Sequence, residues 1–144
     1  MASTHVAHDC LVGDNVIMSN LATLGGHVQI GKWAILGGGV LVHQFTQIGE
    51  YSLIGGGFRA VQDVPPFIIA ANHPLEYKGV NIVGLKRRGF SKKDMDSIKK
   101  VYREFFRSGG NRKTAIEKIE SETPKTKVIQ KILDFIKYSN RGII

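Results

Sequence analysis

The chain has 144 residues, 20 basic against 12 acidic side chains, and one cysteine. That length holds one or two small domains with a core. No apolar run approaches the ~20 residues of a membrane-spanning helix, and a lone cysteine excludes an internal disulfide. The opening MASTHVAHDC lacks the basic, then apolar, then small-residue order of a secretory leader, so a soluble cytoplasmic protein is expected.

From residue 6 the chain repeats. Val6, Val12, Met18, Leu24, Ile30, Leu36, Val42, Ile48, Ile54 and Ala60 are ten apolar residues spaced six apart. Four residues after each stands a small or β-branched residue, from Cys10 to Val64, with Phe58 the one exception. A period of six is neither the 3.6 of a helix nor the 2 of a hairpin sheet. It suits a parallel β-helix in which each hexad forms one short side and carries one inward apolar anchor. Three hexads close a coil, so residues eighteen apart stack about 4.8 Å apart.

The repeat is expected to end at VQDVPPFIIAANHP, because Pro65 and Pro66 bring no N–H to a ladder. Helical patterns follow. Ser91 precedes a segment with Met95, Ile98, Val101, Tyr102, Phe105 and Phe106 on one face, closed by Ser108-Gly109-Gly110. Asn111 to Glu122 reads as a second helix. Pro124 to Ser139 reads as a third, with Val128, Ile132, Phe135 and Ile136 as its stripe. The expected organisation is therefore β-helix coils over 1–66, a connecting loop over 67–90 and a small α-helical domain over 91–144.

Charge divides along the same line. Residues 1–80 hold three basic and five acidic side chains, a net −2, and residues 81–144 hold seventeen and seven, a net +10. The basic part is expected to meet something anionic, whether nucleic acid, phosphate or an acidic protein. It shows no aromatic-basic face and no nucleic-acid motif, so no nucleic-acid partner is expected.

The chemistry concentrates in His5-Val6-Ala7-His8-Asp9-Cys10. The eighteen-residue coil stacks His8, Gly26 and Gln44 on one face, with His27 and His43 in neighbouring positions and His5 just before. Cys10 falls on a small inward position, where packing is its expected role rather than nucleophilic attack, which needs an exposed thiolate. A metal held by His5, His8, His27 and His43 would be spread over three coils, and none is expected. A general base fits better. Neutral imidazole is available near pH 7 to take a proton from a hydroxyl, Asp9 can hold its tautomer, and the Gly26 N–H can meet a developing oxyanion. Arg87 and Arg88, taken alone, read either as a solvated basic turn or as paired diphosphate ligands.

HVAHDCLVGDN, ATLGGHVQI, VHQF, QDVPP and GVNIVGLKRRGFS, in this order and spacing, resemble the C-terminal part of the UDP-N-acetylglucosamine O-acyltransferases of lipid A synthesis. GLKRRGF separates the chain from the related glucosamine N-acyltransferases. The resemblance implies a left-handed β-helix and a homotrimer with active sites between subunits. It implies transfer of a 3-hydroxyacyl chain from acyl carrier protein to the sugar 3-hydroxyl, the first step of the pathway, with no cofactor. Carried over by residue, it makes His8 the base, Asp9 its support and Gly26 the oxyanion contact. His27 and Gln44 then touch the nucleotide sugar, His5 and His43 line the cleft, and Asn81, Arg87 and Arg88 lie near the uridine diphosphate in the 67–90 segment. The position of Gly56 sets acyl-chain length, although glycine there also suits a tight corner.

Two departures stand out. Val83 replaces a family glutamate, and the family has further coils ahead of the HxAHD motif. The alternative expectation is accordingly a truncated, non-catalytic trimeric module that binds the nucleotide sugar or the carrier protein without turnover.

Overall fold

The structure, a computed structural model, describes residues 1–144. Ten two-residue strands recur every six residues: β1 (His5–Val6), β2 (Leu11–Val12), β3 (Ile17–Met18), β4 (Thr23–Leu24), β5 (Gln29–Ile30), β6 (Ile35–Leu36), β7 (Leu41–Val42), β8 (Gln47–Ile48), β9 (Leu53–Ile54) and β10 (Arg59–Ala60). Each of the first seven pairs in parallel with the strand three further on, in a register of eighteen such as His5↔Thr23, Leu11↔Gln29 and Ile17↔Ile35. The result is a three-sided prism with sides β1-β4-β7-β10, β2-β5-β8 and β3-β6-β9.

Both inward positions of the hexad behave as the repeat requires. Leu24, Leu36 and Ile54 are fully buried, and so are Ala22, Val28, Ala34, Val40 and Ser52 at the small positions. The exception, Phe58, is half-buried and packs its ring over Gly55, where a Cβ would lie 3.0 Å from that ring. Anchors Val6 and Val12 of the first coil stand open at 47% and 45% exposure.

The corners carry a second period that the apolar pattern did not show. Ser3, Asp9, Asn15, Leu21, His27, Trp33, Gly39, Phe45, Tyr51 and Gly57, six apart, all have φ between 55° and 78°. Left-handed backbone costs an L-residue about 1 kcal/mol, so the coil hydrogen bonds and core must hold each corner there. Residues eighteen apart at the corners form three outward columns: Asp9–His27–Phe45, Asn15–Trp33–Tyr51 and Ser3–Leu21–Gly39–Gly57. The rings of His27 and Phe45 stack 4.7 Å apart and nearly parallel, which is the rise of one coil.

The sheet does not stop at the prolines. Strand β11 (Ile68–Ala71) continues it in parallel on β9, and β12 (Glu76–Val80) returns antiparallel with a bulge between Ile69 and Ala70. The missing N–H groups of Pro65 and Pro66 fall between two bonded donors, Val64 N–H to Gln47 O and Phe67 N–H to Glu50 O. No ladder bond is therefore lost. Where a connecting loop is expected, residues 67–90 hold this hairpin and a short helix, α1 (Ile82–Arg87), capped by Asn81.

Three further helices follow as expected. They are α2 (Lys92–Phe106), α3 (Arg112–Glu122) and α4 (Lys127–Lys137), capped by the side chains of Ser91, Asn111 and Thr126. The cap at Thr126 starts α4 later than Pro124, and its buried face is Ile129, Ile132, Leu133 and Ile136, leaving Val128 and Phe135 half-buried. The helices share one core with the β-helix. Tyr102 donates from full burial to Pro66 O at 2.5 Å, and burial pushes its phenol well above the usual range. At the far end, buried Asp63 accepts from Gln47 N–H and from the Ser139 hydroxyl, tying the C-terminal tail to the last coil. No helix is long and apolar enough to cross a membrane.

Candidate active site

His8 sits one residue before the left-handed corner at Asp9, and that turn brings the two side chains together. His8 Nδ1 lies 2.9 Å from Asp9 Oδ2. An ionised carboxylate only accepts, so Nδ1–H donates, and in the neutral imidazole this tautomer leaves the lone pair on Nε2. His27 comes from the corner one coil on. Its Nε2 is 3.7 Å from the same carboxylate oxygen, and its ring meets His8 edge-on at 5.1 Å. The hydrogen bond from His8 and then the charge of His27 hold the Asp9 carboxyl below its ordinary range.

Gly26 lies directly over the His8 ring. A Cβ there would sit 2.7 Å from His8 Cε1 and 2.8 Å from Nε2, so any side chain displaces the imidazole. Its neighbours lock the coils, His27 N–H to His8 O and Phe45 N–H to Gly26 O, both 3.0 Å, while the Gly26 N–H itself donates to no group of the chain. Gln44 and His43 occupy the third coil of the stack, where the His43 ring bonds Gln44 O at 3.1 Å. His5 lies on the adjoining side, paired with Thr23.

Cys10 is half-buried and donates to Gly25 O at 3.1 Å, a packing position with a hydrogen bond. One nitrogen each of His8 and His27 and an Asp9 oxygen lie within 4.8 Å of one another, a spacing open to a divalent cation. The His8–Asp9 hydrogen bond satisfies that pair without one, and neither His5 nor His43 adds a ligand.

A second cluster stands on another corner column. Arg88, at the end of α1, lays its guanidinium 3.5 Å from the centre of the Trp33 ring. Asn81 is nearly fully buried. Its Oδ1 accepts from Gly84 N–H and its Nδ2 donates to Tyr51 O at 2.9 Å, so this side chain caps α1 and pins it to the β-helix. Arg87 and Arg88 are exposed and form no ion pair within the chain. Gly56 stands beside the third column, where a Cβ would lie 3.2 Å from Gly38 O. One chain thus brings together His8, Asp9, Gly26 and His27, and carries Arg87, Arg88, Asn81 and Gly56 on its other two edges. A groove of about 610 Å³ runs between the β2-β5-β8 side and α4 and is lined by none of these residues.

Residues 63–144, more than half of the chain, match the family described as UDP-N-acetylglucosamine O-acyltransferase, domain 2. The chain belongs to the UDP-N-acetylglucosamine O-acyltransferase family. It is 42% identical over 144 residues to the acyl-[acyl-carrier-protein]–UDP-N-acetylglucosamine O-acyltransferase of Thiobacillus denitrificans, covering all of this chain and 56% of that protein. The counterpart in Aliivibrio salmonicida is 46% identical over 142 residues, 99% of this chain and 54% of the relative. The crystal structure of the UDP-N-acetylglucosamine acyltransferase from Bacteroides fragilis superposes with a TM-score of 0.95 at 44% identity, over 99% of this chain and 56% of that one. The fold expected from the repeat and the resemblance, a left-handed parallel β-helix of hexapeptide repeats with a small α-helical domain, is the fold observed. The chain spans about half the length of the relatives it matches.

The residue that sequence reasoning missed is Trp33. Its signal was an aromatic eighteen residues before Tyr51 at the same hexad position.

Proposed function

We propose that this chain carries the general base and the nucleotide-diphosphate contacts of an acyltransferase. The protein moves a 3-hydroxyacyl group from acyl carrier protein to the 3-hydroxyl of UDP-N-acetylglucosamine, the first step of lipid A biosynthesis in the cytoplasm. The observation that carries this reading is the His8 imidazole, held through Nδ1 by Asp9 and packed against a glycine with an unengaged N–H.

His8 Nε2 takes the proton of the sugar hydroxyl as its oxygen attacks the thioester carbonyl. The new C–O bond puts negative charge on the carbonyl oxygen, which the Gly26 N–H meets, while Asp9 stabilises the imidazolium. Collapse breaks the C–S bond, and His8 returns the proton to the departing thiolate of the carrier. Nothing is oxidised or reduced, so no cofactor enters the balance. His27, stacked on Phe45 and facing Asp9, walls the sugar side together with Gln44, His43 and His5.

Arg87 and Arg88 supply two guanidinium groups for the diphosphate. Their place on a different edge from His8 supports a homotrimer in which neighbouring copies complete each site. The acyl chain then runs along the prism past Gly56, and the net +10 of residues 81–144 attracts an acidic carrier protein.

Mass-resolved assay with 3-hydroxyacyl-carrier protein and UDP-N-acetylglucosamine tests the reading. It requires acylation of the sugar 3-oxygen by the longest protein that contains this sequence. Binding of the nucleotide sugar without transfer by that protein would instead establish the non-catalytic module.

A further inference from the structure

We propose that Trp33 is a positioning residue for Arg88. Its indole is the platform that fixes the guanidinium plane, so that the N–H edge of Arg88 points outward for two oxygens of a nucleoside diphosphate. The inference rests on the reading that Arg87 and Arg88 take the diphosphate.

The first support is the geometry of the stack. The Arg88 guanidinium carbon is 3.5 Å from the Trp33 ring centre, face contact rather than a distant approach. A guanidinium lying on an aromatic face keeps its five N–H donors in the exposed plane, the arrangement that forks a pair of phosphate oxygens. No carboxylate competes for it. The six ion pairs of the chain use other cations, and no side-chain hydrogen bond consumes the Arg88 donors.

The second support is how α1 is attached. A six-residue helix has little stability of its own, and this one is fastened at both ends to one corner column. Asn81 bonds Tyr51 O at its start, and Arg88 lies on Trp33 at its finish. Between them Leu85 is fully buried. Phe90 packs on Tyr51 and Phe67 just beyond, so loss of the indole would leave the helix in place and free the Arg88 side chain alone to swing.

The third support concerns the corner itself. Trp33 has φ 60°, and the equivalent corners hold Leu21 at 65°, Phe45 at 63° and Tyr51 at 57°. This backbone position therefore accepts an aliphatic or another aromatic side chain. Replacing Trp33 by Leu removes the π face, and replacing it by Tyr keeps one, without a change in backbone demand.

Trp33 is the only tryptophan of the chain, so its emission reports on this stack directly. The experiment titrates UDP into the wild type, Trp33→Leu, Trp33→Tyr, Arg88→Ala and the Trp33→Leu/Arg88→Ala double variant by calorimetry. Thermal unfolding is measured for each, and Trp33 emission is followed in the wild type and in Arg88→Ala. The expected result is a dissociation constant raised about two- to tenfold by Trp33→Leu, the scale of a cation–π contact. Trp33→Tyr should stay within about twofold of the wild type, and the double variant should bind no more weakly than Arg88→Ala alone. UDP should change the wild-type emission and leave that of Arg88→Ala nearly constant.

Wild-type affinity in Trp33→Leu, alongside weakened binding in Arg88→Ala, would overturn the platform and leave the diphosphate assignment standing. Equal losses in the Leu and Tyr variants, or additive losses in the double variant, would also overturn it. Failure of the wild type to bind UDP, or an Arg88→Ala variant that binds normally, would overturn the diphosphate assignment and this inference with it.

Discussion

The histidine edge and the glycine edge of the β-helix are built on one backbone and differ in what the corners carry. Along the first, Asp9, His27 and Phe45 project from left-handed corners, and along the other Gly39 and Gly57 leave the surface bare. Gly26 and Gly38 hold the same place in the hexad. A Cβ on Gly26 would strike the His8 ring at 2.7 Å, whereas one on Gly38 would meet only Asn20 O at an ordinary 3.5 Å. The repeat thus supplies rigid, evenly spaced corners, and the two edges differ only in the side chains that stand on and beside them.

The sharpest way to break that comparison is the pair Gly26→Ala and Gly38→Ala in the longest form of the protein. The first should lower kcat about 100-fold or more by displacing the base, with little change in unfolding temperature. The second should leave kcat within about twofold, because 3.5 Å is ordinary contact. Equal effects in steady-state assays would show that both glycines serve the coil alone.

A smaller effect is expected on the bare edge. Gly56→Met adds a side chain whose Cβ starts 3.2 Å from Gly38 O and must lean outward, into the space assigned to the acyl chain. The optimum over a ladder of donor lengths should move to shorter 3-hydroxyacyl groups. A folded variant with an unchanged optimum would place the ruler elsewhere.

The smallest effect is electrostatic. Asp9 titrates below its ordinary value of 3.8 because of the His8 hydrogen bond first and the His27 charge second. Protonating Asp9 weakens its acceptance of the His8 hydrogen bond, and a depressed value keeps the carboxylate ionised to lower pH than an ordinary aspartate would. In His8→Ala the Asp9 carboxyl should move back up toward 3.8, read by carbon NMR of the labelled carboxyl group. A value unmoved by the substitution would mean that the contact is not made in solution.

Much of this was legible in the sequence, for definite reasons. An anchor every sixth residue and a register of eighteen are arithmetic, so the stacking of His8 under Gly26 followed from counting. Handedness did not follow, since the apolar period is the same for either hand, and neither did the left-handed corners, whose residues share a backbone conformation but no side-chain type. The strand after Pro65 and Pro66 was hidden because prolines argue against a ladder unless their N–H groups fall between bonded donors. Arg88 on Trp33 was hidden more deeply, because Arg88 lies outside the repeat and no period links it to a corner 55 residues earlier. Asn81, which its place in the GVN motif marks for the nucleotide, also has a structural role that the motif did not show: its amide caps α1 and bonds Tyr51 O.

The central claim is that His8 is the base, and the most direct test is single-turnover acyl transfer by His8→Ala in the longest form of the protein, beside calorimetry with UDP-N-acetylglucosamine. The account predicts a rate lowered about 100- to 10,000-fold with nucleotide-sugar affinity and unfolding temperature nearly unchanged. Near-normal transfer by the folded variant would contradict it.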